Sequence, residues 1–200
     1  MMSKRRGTLW IVLGLLLLFS AAGLTAYNLN LDAMAGKKSD AVMEELVALL
    51  EDVPIRTITT RAAMDACANA VEPLDLDGYR YMGLITFPTL ELQLPVQHEW
   101  SYPNLQVSPC RMTGGPATED LVILAHNYTR HFGPLNRLEI GDEVSVTLID
   151  GTTYIYRVDA KEIVAPTAVK DVTSGEWPLT LFTCTLGGRT RLVIRCDTAE

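Results

Sequence analysis

The residues best suited to covalent chemistry lie in one stretch, Thr180-Leu181-Phe182-Thr183-Cys184, which runs through Gly187-Gly188 into Arg189-Thr190-Arg191-Leu192-Val193-Ile194-Arg195. Both arms are rich in Leu, Thr, Val and Ile, and the paired glycines supply the positive φ values of a two-residue hairpin turn. With Gly187 and Gly188 at the centre of that turn, Leu186 pairs with Arg189, Thr185 with Thr190 and Cys184 with Arg191. Directly opposed residues share a face, with Cβ atoms roughly 4.5–5.5 Å apart. The register therefore sets a guanidinium beside a thiol, and a fixed cation next to a cysteine favours the nucleophilic thiolate. Arg195 falls opposite Thr180, and Arg189 falls at the turn, in solvent. The same residues also fit a plainer account. A strand cysteine is often a small buried hydrophobe, and an arginine opposite it can simply be solvated.

Acyl transfer from a thiolate needs an acid and a base. Of three histidines, His126 ends the apolar run Leu121-Val122-Ile123-Leu124-Ala125, where a buried strand meets a loop. Catalytic groups are common at such places, although a structural histidine fits there too. His98 and His131 lie in polar segments and read as surface residues. Asn127 either orients His126 or ends the strand. Thr183 either fills the interior as a β-branched residue or contacts a substrate. Glu119, Asp120 and Asp150 lack the spaced oxygen pattern of a calcium loop, so no metal and no other cofactor is expected.

The elements that must hold these residues are mostly strands. Tyr79 to Val96 reads as β, interrupted at Pro88. Leu121–Ala125, Val144–Leu148, Thr153–Val158 and the final hairpin follow, separated by turn signals at Thr113–Pro116, Gly141-Asp142, Asp150-Gly151 and Ser174-Gly175. Gly133-Pro134 opens a helical turn ending near Leu138. At least seven short strands with few helices predict an all-β barrel or sandwich. Upstream, Asp40 to Leu50 reads as an amphipathic helix with Val42, Leu46, Leu49 and Leu50 on one side and Ser39 as its cap. Residues 53–77 read as a linker with a short helix over Arg61–Val71.

Lys4-Arg5-Arg6 precedes Leu9–Ala26, 18 residues without a charge. As a helix this run spans about 27 Å, near the thickness of a hydrocarbon core. Basic residues before it hold the N-terminus in the cytoplasm and place the rest of the chain outside. A signal peptide cleaved near Ser20-Ala21-Ala22 is the competing reading, and it exports the same segment. The 200 residues suffice for one domain with a real core beyond the apolar run. A net charge of −7 argues against nucleic acid as a partner. The four cysteines, Cys67, Cys110, Cys184 and Cys196, contain no Cys-x-x-Cys pair, which disfavours a zinc ribbon or thioredoxin-like site. They are too sparse for a disulfide scaffold, and nothing argues for a Cys110–Cys196 bridge.

Thr180-Leu181-Phe182-Thr183-Cys184 matches the Thr-Leu-x-Thr-Cys signature of sortases. Leu124-Ala125-His126-Asn127 resembles the segment carrying the sortase histidine, and Arg191-Leu192-Val193-Ile194 the strand carrying its arginine. Gly83-Leu84-Ile85, Pro88 and Leu94-Pro95 are similar to the family's opening strands, and His131-Phe132-Gly133-Pro134-Leu135 through Gly141-Asp142 also fits. The resemblance covers residues 76–197. It implies a closed eight-stranded sortase-type β-barrel with short helices, behind an N-terminal transmembrane helix and a helical linker. The implied divisions are 1–28 as cytoplasmic tip and anchor, 29–75 as linker and covering segment, and 76–200 as catalytic barrel. It also implies a membrane-anchored cysteine transpeptidase of Gram-positive bacteria that cleaves a sorting signal near the C-terminus of secreted proteins. The acyl group then passes to an amine of the cell wall or of a pilin. Carried over by position, Cys184 is the nucleophile, His126 the general acid and Arg191 the stabiliser of substrate or oxyanion; beside these, Thr183 and Asn127 are read as substrate-binding candidates.

The chain ends four residues after Cys196 without a second apolar span, and residues 53–77 lack an Asp-Pro-aromatic lid motif. Both features favour anchoring over pilus polymerisation. The connection Ala165–Trp177 is short, unlike the class B pattern, although His126-Asn127 looks class B-like, so the subclass stays open. Two other readings compete. A papain-like wall peptidase places its Cys before its His and at a helix start, the reverse of the order here. An anchored β-module that binds wall polymer without catalysis would not need the Cys, His and Arg set.

Overall fold

The computed structural model describes residues 2–59 and 71–199. The expected helix over Arg61–Val71 and the Cys67 thiol fall outside these residues, apart from Val71 itself. Among the described residues there are ten strands: β1 (Arg56–Ile58), β2 (Leu74–Leu76), β3 (Tyr79–Phe87), β4 (Leu92–Gln97), β5 (Cys110–Thr113), β6 (Leu121–Leu124), β7 (Glu143–Leu148), β8 (Thr152–Val164), β9 (Leu179–Cys184) and β10 (Arg191–Thr198). Hydrogen-bonded neighbours run from β3 through β4, β5, β6, β9, β10, β8 and β7 back to β3, so eight strands close into a barrel. β1 lies parallel to the start of β8, and β2 pairs with the start of β3; both are outside the ring.

The closing seam between β3 and β7 depends on a glycine. Gly83 has φ +152, and a Cβ there would lie 1.9 Å from the Thr147 carbonyl oxygen. Only a residue without a side chain lets the two backbones approach this closely. Pro88 ends the β3 ladder because it has no N–H to donate. The chain turns through a 3₁₀ segment, Pro88–Leu90, and a left-handed Glu91 (φ 49) before entering β4.

Side chains alternate across β9 and β10, and both faces are covered. Inward, Leu179, Leu181, Leu192, Ile194 and Cys196 join the main core with Ile85, Phe87, Leu121 and Ile123. Outward, Val193 and Phe182 pack with Val122 and with Val172, which comes from the connection between β8 and β9. That connection lies over the outer face of the hairpin. The outer cluster is therefore where the barrel surface becomes the floor of a cleft.

Contacts divide the chain into two compact units, Met1–Met34 and Ala35–Glu200. One uninterrupted helix, α1 (Met2–Leu50), runs through both. Its Gly7–Leu50 portion is long and apolar enough to cross a membrane. The cap reading of Ser39 is overturned: the helix continues on both sides of it, and Ser39 is buried in its interior. Within the second unit the helix buries Ala35, Gly36, Ser39, Val42 and Leu46, and Val42 packs with Leu76 and Tyr81. Leu49, expected on that face, is exposed instead.

Candidate active site

The hairpin has the register that its two glycines predict. Arg191 opposes Cys184, Val193 opposes Phe182 and Arg195 opposes Thr180. Gly187 and Gly188 both have positive φ, 82° and 71°, but the two-residue turn expected between Leu186 and Arg189 does not form: the turn is centred on Leu186 and Gly187, and the loop spans residues 186–189. The Gly188 N–H donates to the Thr185 carbonyl at 2.8 Å, and the Thr185 N–H donates to the Thr190 carbonyl at 3.1 Å.

A second register brings in the histidine. β6 runs parallel to β9 with Leu124 beside Phe182, and the Ala125 N–H carries the ladder one step on by donating to the Phe182 carbonyl at 3.3 Å. Two residues beyond this pair on each strand are His126 and Cys184. Neighbouring strands lie about 4.8 Å apart, so His126, Cys184 and Arg191 form one row across β6, β9 and β10. Thr183 reinforces that row. It is 3% exposed, and its hydroxyl donates to the Ala125 carbonyl at 2.8 Å, tying the residue before Cys184 to the residue before His126. Asn127 Nδ2 reaches the Thr185 carbonyl at 3.5 Å, a long bond in the same direction.

The row opens into a cleft of about 260 Å³. Cys184, Phe182 and Leu124 line its floor together with His126 and Arg191. One wall is Trp100, Tyr102 and Leu105, and the other is Ala165, Pro166, Ala168, Val169 and Val172. The lining is mainly apolar, with its polar groups gathered at the row. Arg191 Nη1 donates to the Gly188 and Thr190 carbonyls, both at 3.0 Å, which steadies the guanidinium beside the turn. Burial holds His126 below its ordinary value, so its ring is neutral at pH 7 and can accept a proton. Its ring lies 4.8 Å from that of Tyr128.

Among the described residues, Cys184 stands apart from the other two thiols. Cys110 and Cys196 are fully buried. Burial pushes the Cys110 thiol up to about 12 and raises Cys196 as well, so both stay protonated and unreactive at neutral pH. Cys184 is half-buried and borders the cleft.

Two histidines depart from the surface reading. His131 is wholly buried, with its backbone N–H donating to the Tyr128 carbonyl at 3.1 Å. The loop after His126 folds back on itself and encloses it, as the Phe132 N–H bond to the His126 carbonyl at 3.1 Å shows. His98 is half-buried. Arg111 donates from Nε to its carbonyl at 2.8 Å, and Arg111 Nη2 lies 3.0 Å from its Nε2. Burial first, then Arg111 and Arg80, lower its pKa.

Sequence reasoning noted the connection Ala165–Trp177 only for its shortness and did not read it as a wall of the cleft. Its signal was the pairing of Thr180 with Arg195. That arginine is buried and its guanidinium hydrogen-bonds the connection's backbone.

A family model described as the sortase domain matches residues 85–199. Among solved structures, sortase C1 from Streptococcus agalactiae aligns with a TM-score of 0.55 and 26% identity, covering 70% of this chain and 75% of that one. A sortase D5 transpeptidase from Clostridium perfringens aligns at 0.57 and 16% identity, covering 82% and 97%. Sortase A from Corynebacterium diphtheriae aligns at 0.55 and 21% identity, covering 84% and 85%. No curated protein matches the chain.

Proposed function

This chain belongs to the sortase family of cysteine transpeptidases, and from that premise we propose that Cys184, His126 and Arg191 carry out its acyl transfer. The observation that supports this most is the row itself: two strand registers, one parallel and one antiparallel, bring the three side chains to one cleft. In the proposed reaction His126 takes the Cys184 proton, and the thiolate attacks the scissile carbonyl of a bound peptide. The carbonyl π electrons move onto oxygen, and Arg191 donates hydrogen bonds to that oxyanion. Collapse breaks the C–N bond. The leaving amine takes the proton from His126, and a thioester remains on Cys184. An incoming amine loses its proton to His126, attacks the thioester and releases the Cys184 sulfur, which recovers that proton.

The substrate class follows from the family. The donor is a secreted protein bearing a C-terminal sorting signal, and the acceptor is an amine of a peptidoglycan precursor or of a pilin. One solved sortase C, from Clostridium perfringens, is described with a C-terminal cell wall sorting motif. Residues 1–28 act as a cytoplasmic tip and membrane anchor, 29–75 as a covering segment and 76–200 as an extracellular catalytic barrel of a Gram-positive cell. Thr183 and Asn127 act by holding the His126 segment against β9, since the Thr183 hydroxyl and the Asn127 amide both donate to backbone carbonyls.

The direct test is incubation with a library of sorting-signal peptides and amines while the intact mass of the protein is followed. A thioester adduct on Cys184, discharged by an added amine, is the expected result. A protein whose mass never changes with any peptide would defeat the proposal and favour a non-catalytic wall-binding role.

A further inference from the structure

The connection Ala165–Trp177 is lightly held. Val172 is its one fully buried residue, and its single-turn helix, Val169–Val172, has no side-chain cap. The carbonyls at the end of a helix lack partners within it and must find donors elsewhere. Here the donors are Ser174, whose hydroxyl donates to the Asp171 carbonyl at 3.2 Å, and Arg195, 5% exposed on the outer face of β10. Its Nη2 donates to the Asp171 carbonyl at 2.9 Å, and its Nη1 donates to the Val172 carbonyl at 3.2 Å and to Thr180 Oγ1 at 3.1 Å. Its Nε lies 3.8 Å from Glu162 Oε2, an ionic contact. One planar cation thus fastens the connection to three strands, since Arg195, Thr180 and Glu162 belong to β10, β9 and β8. A cation at a helix C-terminus also meets the negative end of its dipole.

The same segment supplies Ala168, Val169 and Val172 to the cleft wall. We infer that Arg195 is a positioning residue for the transferred peptide: by pegging Asp171 and Val172 it fixes how far that wall stands from the Trp100–Leu105 wall. It therefore governs how well the cleft holds a sorting-signal peptide, and not the bond-making step. Arg195 sits four residues along β10 from Arg191, roughly 13 Å at strand spacing, and touches none of the reacting groups. This rests on the sortase reading of the cleft.

The test compares the full-length enzyme with Arg195→Lys, using the peptide that gives the highest thioester yield in the library. An ammonium cannot reproduce the planar fork that spans two carbonyls and a hydroxyl. KM is expected to rise about tenfold while kcat stays within about twofold, the pattern of lost binding without lost chemistry. Amides of residues 165–177 should exchange hydrogen faster, while those of the β3–β7 seam stay unchanged. A purely structural role would lower the melting temperature and leave KM alone. A fall in kcat at unchanged KM, or unaltered exchange in 165–177, overturns the inference. Should Arg195→Lys fail to fold, Thr180→Val removes one partner of the fork without changing side-chain size, with a KM rise of about threefold expected and an unchanged KM counting against the inference. If the wild-type enzyme forms no thioester with any peptide, the transpeptidase proposal fails, and the exchange measurement still decides whether Arg195 holds the wall.

Discussion

Arg191 and Arg195 lie on one strand, point to one face and oppose residues of the same neighbouring strand, Cys184 and Thr180. Their surroundings are nonetheless opposite. Arg191 borders open space, and its guanidinium donates to two carbonyls of its own turn. Arg195 is enclosed and shares its donors between a hydroxyl and the backbone of another segment. The covering connection makes the difference: it lies over the Thr180 end of the hairpin and leaves the Cys184 end uncovered. The same side chain is thus available to a ligand at one end and committed to the fold at the other.

That contrast can be broken experimentally. The largest effect belongs to the sulfur: Cys184→Ala should lower transpeptidation by more than about 10⁴-fold, as loss of a nucleophile does elsewhere, with no adduct by mass spectrometry. Next, Arg191→Lys should lower kcat by about 10²–10³-fold, the scale of losing an oxyanion donor, while the melting temperature hardly moves. Arg195→Met should do the reverse to stability, costing about 1.5–3 kcal/mol in chemical denaturation because the Asp171 and Val172 carbonyls and the Thr180 hydroxyl lose a charged donor. If Arg195→Ala damages kcat more than Arg191→Ala does, the roles assigned to the two ends are wrong. Thr183→Val should cost about 1–2 kcal/mol, since the buried Ala125 carbonyl loses its donor, and should slow acylation several-fold through a displaced His126.

The smallest expected effect is on pH dependence. Burial lowers His126 from its ordinary value near 6.5. Acylation that needs a neutral ring should therefore stay level as pH falls to 6.5 and decline only below it, and His126→Gln should remove that limb. The sign for stability agrees. A depressed folded-state value means that the unfolded chain binds the proton more readily, so the contribution is intact above pH 6.5 and is lost as pH falls through the folded-state value. A wild-type limb rising above pH 6.5 would show that the ring is not shielded in the working enzyme.

Local signals made the centre of the site legible. Gly187-Gly188 mark the hairpin, and Cys184 pairs with Arg191 as expected, because the four-residue loop 186–189 that forms is symmetric about the same two glycines as the two-residue turn that does not. The apolar run before His126 located the end of β6. What resisted reading was non-local. The parallel pairing of β6 with β9 joins segments almost sixty residues apart, and no turn specifies it. His131 looked solvated because its neighbours are polar, yet the return of Phe132 to the His126 carbonyl buries it. Ser39 looked like a cap because capping chemistry is local, while continuation of α1 through Lys37 and Lys38 depends on the flanking turns. The reach of Arg195 into the β8–β9 connection could not be read from a residue whose sequence neighbours are all strand formers.

The ring has a final consequence for what it can recognise. Each of its eight strands has a partner on either side, and apart from the β4–β5 contact, which is a single pair between Gln97 and Cys110, a visiting polypeptide cannot zip itself onto the ring as one more strand. The generic main-chain adhesion by which sheet edges capture almost any extended tail is withheld there. Discrimination among extended tails then falls to the shapes of their side groups.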